Sequence, residues 1–125
     1  MSMIIGIDLG TTHSAVAVVD AGFPLVLADQ NGKRLTPSVV YFPNDHQEPQ
    51  VGLDALRMQT VAPARTIYSV KRFMGRRSDD LSDNEKRVDY SISHYPGEPI
   101  KILLKDDAFS PEQISAEILK SLKRT

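Results

Sequence analysis

An α/β fold follows from three features of this 125-residue chain. The first thirty residues hold three short runs rich in β-branched side chains, separated by tight turns. The middle mixes short strand-like and helix-like segments. The end carries one amphipathic helical stripe.

In order, residues 4–9 and 14–19 read as strands joined by a very short turn, and residues 23–27 follow after Ala21-Gly22. Together they make an antiparallel meander. Asn31-Gly32 is a turn signal, because both residues tolerate positive φ. Residues 39–42 read as a strand ended by Pro43 and a polar loop through Pro49. Residues 54–61 suit a short helix with Asp54 near its cap and Pro63 closing it. Residues 67–74 are apolar apart from Lys71 and Arg72 and are expected to be helical. Residues 76–89 are strongly charged, lack a buried face and read as a loop with some helix. Residues 91–94 and 100–104 look like a hairpin around Pro96-Gly97. The last helix is the clearest. Ser110 can cap it, Pro111 suits its first position and Gln113 completes a capping box. Ile114, Ile118, Leu119 and Leu122 then form one apolar stripe. No internal repeat is present.

Bulk composition removes several function classes. The formal net charge is -1, from 15 basic and 16 acidic side chains. A nucleic-acid binder working by bulk electrostatics would carry a clear basic excess. A small anionic ligand remains open, because one local loop can hold a phosphate. The chain has no cysteine, so neither a disulfide framework nor a thiolate metal site is available. No apolar run approaches the ~18 residues of a membrane span. The N-terminus lacks the pattern of a signal peptide, and a cytoplasmic location is the expectation.

The stretch IIGIDLGTTHSAVAVVD, residues 4–20, carries the chemistry. A strand ending in Asp-Leu-Gly-Thr-Thr and turning straight into a second strand makes a small concave loop. Gly10 would let the backbone approach a ligand, and successive amides there can cradle a phosphate. Thr11 and Thr12 add hydroxyl donors. Asp8 would stand at the strand end, where a carboxylate can hold a hydrated Mg²⁺ against phosphates. The plain alternative is a glycine hairpin in which Asp8 caps local amides. His46 and His94 sit in a polar loop and beside a turn, and neither suggests a metal site.

The segment IGIDLGTTHSAVAV closely resembles the first phosphate loop of the actin-like ATPase superfamily, which includes DnaK-type chaperones, sugar kinases and MreB-like filament proteins. Four further stretches resemble the chaperones in particular: QNGKRLTPSVVYF (30–42), VGLDALRM (51–58), RTIYSVKRFMGRR (65–77) and FSPEQISAEILKSLK (109–123). Their order and spacing agree over nearly the whole chain. The sequence thus resembles the N-terminal part of a heat-shock-70, DnaK-like chaperone.

That resemblance implies an actin-like, ribonuclease-H-like fold present as an incomplete first lobe. Residues 1–38 and 110–125 would form a core subdomain, with 39–109 inserted as a small α+β subdomain. It implies ATP or ADP with Mg²⁺ as cofactors, and a parent protein that couples ATP hydrolysis to binding and release of unfolded polypeptide. A J-domain co-chaperone and a nucleotide exchange factor would be the parent's other partners. Asp8 would lie in the outer shell of the Mg²⁺. Gly10, Thr11, Thr12 and His13 would surround the β- and γ-phosphates, with Thr12 sensing the γ-phosphate. Lys71 would reach the γ-phosphate and the attacking water, as phosphoryl transfer requires. A lysine buried among Ile67, Val70, Phe73 and Met74 would need such a reason. Read without the neighbouring motifs, it is a solvated residue on an amphipathic helix.

Two departures stand out. His13 occupies a position where the family usually has asparagine, and its imidazole could serve a phosphate or simply cap the turn. The stretch between Gly75 and Ser110 looks shorter than in typical members. The expectation is a fragment that is inactive alone and prone to self-association through an unfinished sheet. Two rival readings are a carbohydrate kinase of the same superfamily and a non-enzymatic, self-associating module.

Overall fold

The computed structural model describes residues 4–20, 22–28, 32–43, 47–93, 95–104 and 107–124. Ala21, Asn31, His46 and His94 lie outside the described residues, so the readings that fall on them do too.

The expected meander is present. Strand β1 (Ile4–Leu9) pairs antiparallel with β2 (His13–Asp20), in register from Ile4 opposite Val19 to Leu9 opposite Ser14. Strand β3 (Phe23–Val26) pairs with the second half of β2. The two-residue β4 (Thr36–Pro37) pairs with its first half, at His13 and Ser14. β2 is therefore the hub, with β1 along one edge and β3 and β4 sharing the other. Ser14 and Val16 are buried, as a period of two along one face requires. β1 departs from expectation: Ile4, Ile5 and Ile7 are all exposed, although the run reads as a buried strand. Within β1 only Leu9 is partly buried, packing against the core.

A second antiparallel sheet has β5 (Val39–Tyr41) at its centre, flanked by β6 (Gln50–Val51) and β7 (Thr66–Tyr68). Helix α1 (Leu53–Arg57) follows β6 and is shorter than the expected 54–61. Its cap is Gly52, at φ 91°, a conformation that L side chains rarely adopt. Asp54 sits in the first turn instead of capping. Pro63 opens a 3-10 turn, Pro63–Arg65, where a helix end was expected. The helix expected over 67–74 does not form. Thr66 and Ile67 are β-branched, and Ile67 pairs with Val40 in the sheet, so tertiary pairing overrides the local pattern. Ser69 then takes a left-handed conformation (φ 53°, ψ 30°) and leads into a 3-10 turn, Val70–Phe73.

Within 76–89 the only regular structure among the described residues is the 3-10 turn Ser78–Asp80. The expected hairpin is present as β8 (Ser91–Ile92) against β9 (Ile102–Leu103). Strand β10 (Ala108–Phe109), which the sequence did not announce, adds to the other edge of β9. Helix α2 (Pro111–Lys123) starts as expected. The Ser110 hydroxyl accepts from the Gln113 amide at 3.1 Å, and the Gln113 side chain accepts from the Ser110 amide at 2.7 Å. Ile114, Ile118 and Leu122 are buried, whereas Leu119 is exposed and leaves the stripe. These three join Val16, Val40, Ile67, Val70 and Phe73 in one core cluster with Ile92 and Ile102. α2 thus ties the meander to the second and third sheets.

Candidate functional site

The β1–β2 turn closes on itself. The Gly10 amide donates to the His13 carbonyl at 3.1 Å. A Cβ at position 10 would lie 2.3 Å from that carbonyl oxygen, a distance real Cβ atoms do not reach. Glycine is therefore required by the turn's own tightness. The Gly10 amide is consumed internally. The amides of Thr11 and Thr12 donate no hydrogen bond among the described residues, and both residues are exposed. Two successive amides and two hydroxyls are thus available at the tip of a rigid turn.

The turn is held from below by residues 36–38. The Ser38 amide donates to the Thr12 carbonyl at 2.8 Å, and the Ser38 hydroxyl donates to the Gly10 carbonyl at 2.8 Å. The Ser14 and Ser38 hydroxyls meet at 2.8 Å, both buried.

Thr11, Thr12 and His13 line a cavity of about 230 Å³. Its other walls are Pro37, Ser38 and Val39, then Leu56 and Gln59 from α1 and the segment after it, and Tyr68 and Ser69 at the end of β7. The structure brings Thr11, Thr12 and His13 together at this cavity. Asp8 and Lys71 are not among its lining residues. Asp8 is exposed on β1, opposite Ala15 and three residues ahead of Thr11. Lys71 is exposed on the 3-10 turn, two residues beyond Ser69. It is not buried among apolar neighbours, as the sequence suggested. Val70 and Phe73 anchor the turn in the core and leave the intervening lysine in solvent.

Ser69 is the one non-glycine residue at positive φ among those described. Such backbone costs on the order of 1–3 kcal/mol and persists only where the surroundings over-determine it. Here they do. The Tyr90 hydroxyl donates to the Tyr68 carbonyl, and the Tyr68 hydroxyl donates to the Asp89 carboxylate and accepts from its amide, both at 3.2 Å. The two rings meet edge to face with centroids 5.3 Å apart. Burial pushes both phenols above their ordinary range, so the pair stays neutral and keeps its protons for these bonds.

Beyond Phe73, Arg76 makes two hydrogen bonds to the Glu85 carboxylate, one at 3.2 Å, and another to the Asp80 carbonyl. The Arg76 guanidinium holds the Glu85 carboxyl down to about 2. This clamp organises the charged 76–89 loop. Among the described residues no three His, Cys, Asp or Glu side chains gather as a metal site. Residue-level reading missed Ser14, Ser38, Gln59 and Ser69. A signal existed for Ser14, which shares the inward face of β2 with Val16; Ser69 gave none.

Comparison with known proteins places the chain. The family model described as Hsp70 protein matches residues 4–125. Chaperone protein dnaK3 of Synechocystis sp. is 49% identical over 125 residues, covering 98% of this chain and 16% of that protein. Chaperone protein DnaK of Deinococcus proteolyticus is 41% identical over 122 residues, covering 98% and 19%. Chaperone protein DnaK of Thermus thermophilus is 42% identical over 122 residues, covering 98% and 20%. The chain spans about a sixth to a fifth of the length of these curated relatives. With a match running from the first residue of β1 to the end of the chain, it belongs to the Hsp70 protein family.

Proposed function

We propose that this chain supplies the phosphate-facing wall of an ATP site in an ATP-dependent chaperone. The observation that carries the reading is the closed Gly10–His13 turn, in which the Thr11 and Thr12 amides donate no hydrogen bond among the described residues and whose Thr11, Thr12 and His13 line a cavity. Its donor set is neutral and polar, and suits phosphate oxygens. A lone carboxylate, Asp8, fits a Mg²⁺ held mainly by phosphate oxygens and water, since no cage of side chains competes among the described residues. Such a metal, when bound, neutralises phosphate charge. Asp8 would orient the waters of such a metal, and Thr12 would donate to the γ-phosphate. His13 offers its imidazole beside Thr12. Lys71 brings a cation to the γ-phosphate and the attacking water. Its 3-10 turn is anchored by the buried Val70 and Phe73 on either side, and a cation brought to the γ-phosphate stabilises the charge that develops in phosphoryl transfer.

In this reading the fold is the first lobe of an actin-like ATPase, with 1–38 and 110–125 as the core subdomain and 39–109 as the inserted one. The parent protein binds ATP or ADP with Mg²⁺ in the cytoplasm. It couples hydrolysis to binding and release of unfolded polypeptide, assisted by a J-domain co-chaperone and a nucleotide exchange factor. The relatives' names, all chaperone proteins, support this and do not favour a carbohydrate kinase. The test uses the full-length protein with a fluorescent unfolded peptide. Adding ATP–Mg²⁺ should release bound peptide, with slow phosphate production. Transfer of phosphate to a sugar, with no peptide bound, would overturn the reading.

A further inference from the structure

Ser38 touches the Gly10–His13 turn twice, through its amide to Thr12 and its hydroxyl to Gly10. Its hydroxyl has one proton, and that proton goes to the Gly10 carbonyl. The Ser14 hydroxyl must therefore be the donor in the 2.8 Å contact with Ser38. A directed chain results, running from the Ser14 hydroxyl to the Ser38 hydroxyl to the Gly10 carbonyl. Ser14 is 1% and Ser38 3% exposed, so water does not compete for these bonds. No buried side-chain polar atom among the described residues lacks a partner, so the chain is complete.

The ladder adds to it. His13 and Ser14 pair with Pro37 and Thr36, so residues 36–38 grip the turn at both of its ends. Fixing the Gly10 and Thr12 carbonyls fixes the Gly10–Thr11 and Thr12–His13 peptide planes, which bracket the Thr11–Thr12 peptide between them. The direction of the Thr11 amide follows from the first plane, and the Thr12 amide, in the peptide between the two fixed planes, is restrained from both sides. The turn itself contains only one internal hydrogen bond, from Gly10 to His13. Ser38 adds two more from outside the turn.

We infer that Ser38 is a positioning residue for phosphate binding, acting through the Gly10 and Thr12 carbonyls to hold the Thr11 and Thr12 amides in place. This rests on the phosphate-binding reading of the turn. Without the Ser38 hydroxyl, the Gly10 carbonyl loses its partner and the Ser14 hydroxyl its acceptor, and the turn samples several conformations. Phosphate contacts weaken, while contacts to the nucleoside, made elsewhere, do not.

The experiment measures ATP, ADP and adenosine affinities of the full-length protein by calorimetry, for the wild type, Ser38→Ala and Ser38→Cys. Cysteine nearly keeps the volume and replaces a good donor by a weak one, so at least one variant should fold. A core variant in the third sheet, Ile102→Val, serves as a control of matched stability. ATP and ADP affinity should fall by about 3- to 10-fold in both Ser38 variants, the equivalent of one lost hydrogen bond. Adenosine affinity should stay at the wild-type value, and the control should move none of the three. Equal loss for adenosine and ATP, or a loss matched by Ile102→Val, would make Ser38 a structural residue only and overturn the inference. Wild-type protein that binds no ATP at all would instead overturn the phosphate-site reading beneath it.

Discussion

Lys71 is where sequence and structure part most clearly. Its neighbours Ile67, Val70, Phe73 and Met74 suggest burial, yet the 3-10 turn buries Val70 and Phe73 and leaves the ammonium exposed. The desolvation argument for a function therefore falls away, and the proposed role rests on the position of Lys71, two residues past the strained Ser69 on a turn anchored at both ends. Lys71→Ala should accordingly leave folding and ATP affinity nearly intact. Single-turnover hydrolysis in the full-length protein should fall by about 10²- to 10³-fold, as when one preorganised donor to developing charge is lost. Quench-flow with labelled ATP measures both quantities, and unchanged turnover would remove Lys71 from the mechanism. That Gly10, Thr11 and Thr12 share one tight turn was legible from the motif alone. The reason for the glycine was not, because the carbonyl that excludes a Cβ belongs to His13 three residues later.

At the scale of elements, those whose signals are local were readable. The three strands of the meander and the capped start of α2 depend on short-range alternation and on a capping box, and both formed. Segments whose conformation is set by partners were not. Residues 66–68 join β5 rather than a helix, and β10 exists only because β9 offers an edge. The same distinction sorts the apolar stripe of α2. Ile114→Ala should cost about 2–5 kcal/mol, because it empties a fully buried position. Leu119→Ala should cost less than about 1 kcal/mol, because that side chain lies at the surface. Urea denaturation of the two variants checks the contrast. The Arg76–Glu85 clamp makes a prediction about pH. With the Glu85 carboxyl lowered from 4.5 to about 2, its stabilisation of the loop is fully present above pH 4.5 and is lost as pH falls towards 2. Amide exchange across residues 76–89 should quicken through that window, and Glu85→Gln should reduce the pH dependence to the part left by Asp79, whose carboxyl the Gly97 amide also lowers.

Across the whole molecule, the buried core lies between α2 and the second and third sheets, while the meander that carries the phosphate turn is thinly covered. Ile4 is 65% and Phe23 76% exposed, with Ile5 and Leu25 beside them. An apolar strand edge of this kind favours association, with another part of a longer chain or with a second copy. The cavity is open, with Thr11, Thr12, His13 and Ser38 on one side and Val39, Leu56 and Tyr68 making much of the rest of its wall apolar. Phosphate contacts open to water are worth far less than the same contacts in a closed site. The family was legible in the sequence because its motifs are contiguous. The geometry of the wall was not, because Ser38, Tyr68 and Ser69 reach the turn only through the fold. The measurement that bears most directly on the one-wall account is calorimetric titration of ATP–Mg²⁺ into the purified 125-residue chain. Binding weaker than about millimolar, with no hydrolysis, is the result expected of a single phosphate-facing wall. Micromolar or tighter binding would contradict it and place the nucleotide on residues other than those of the Gly10–His13 turn.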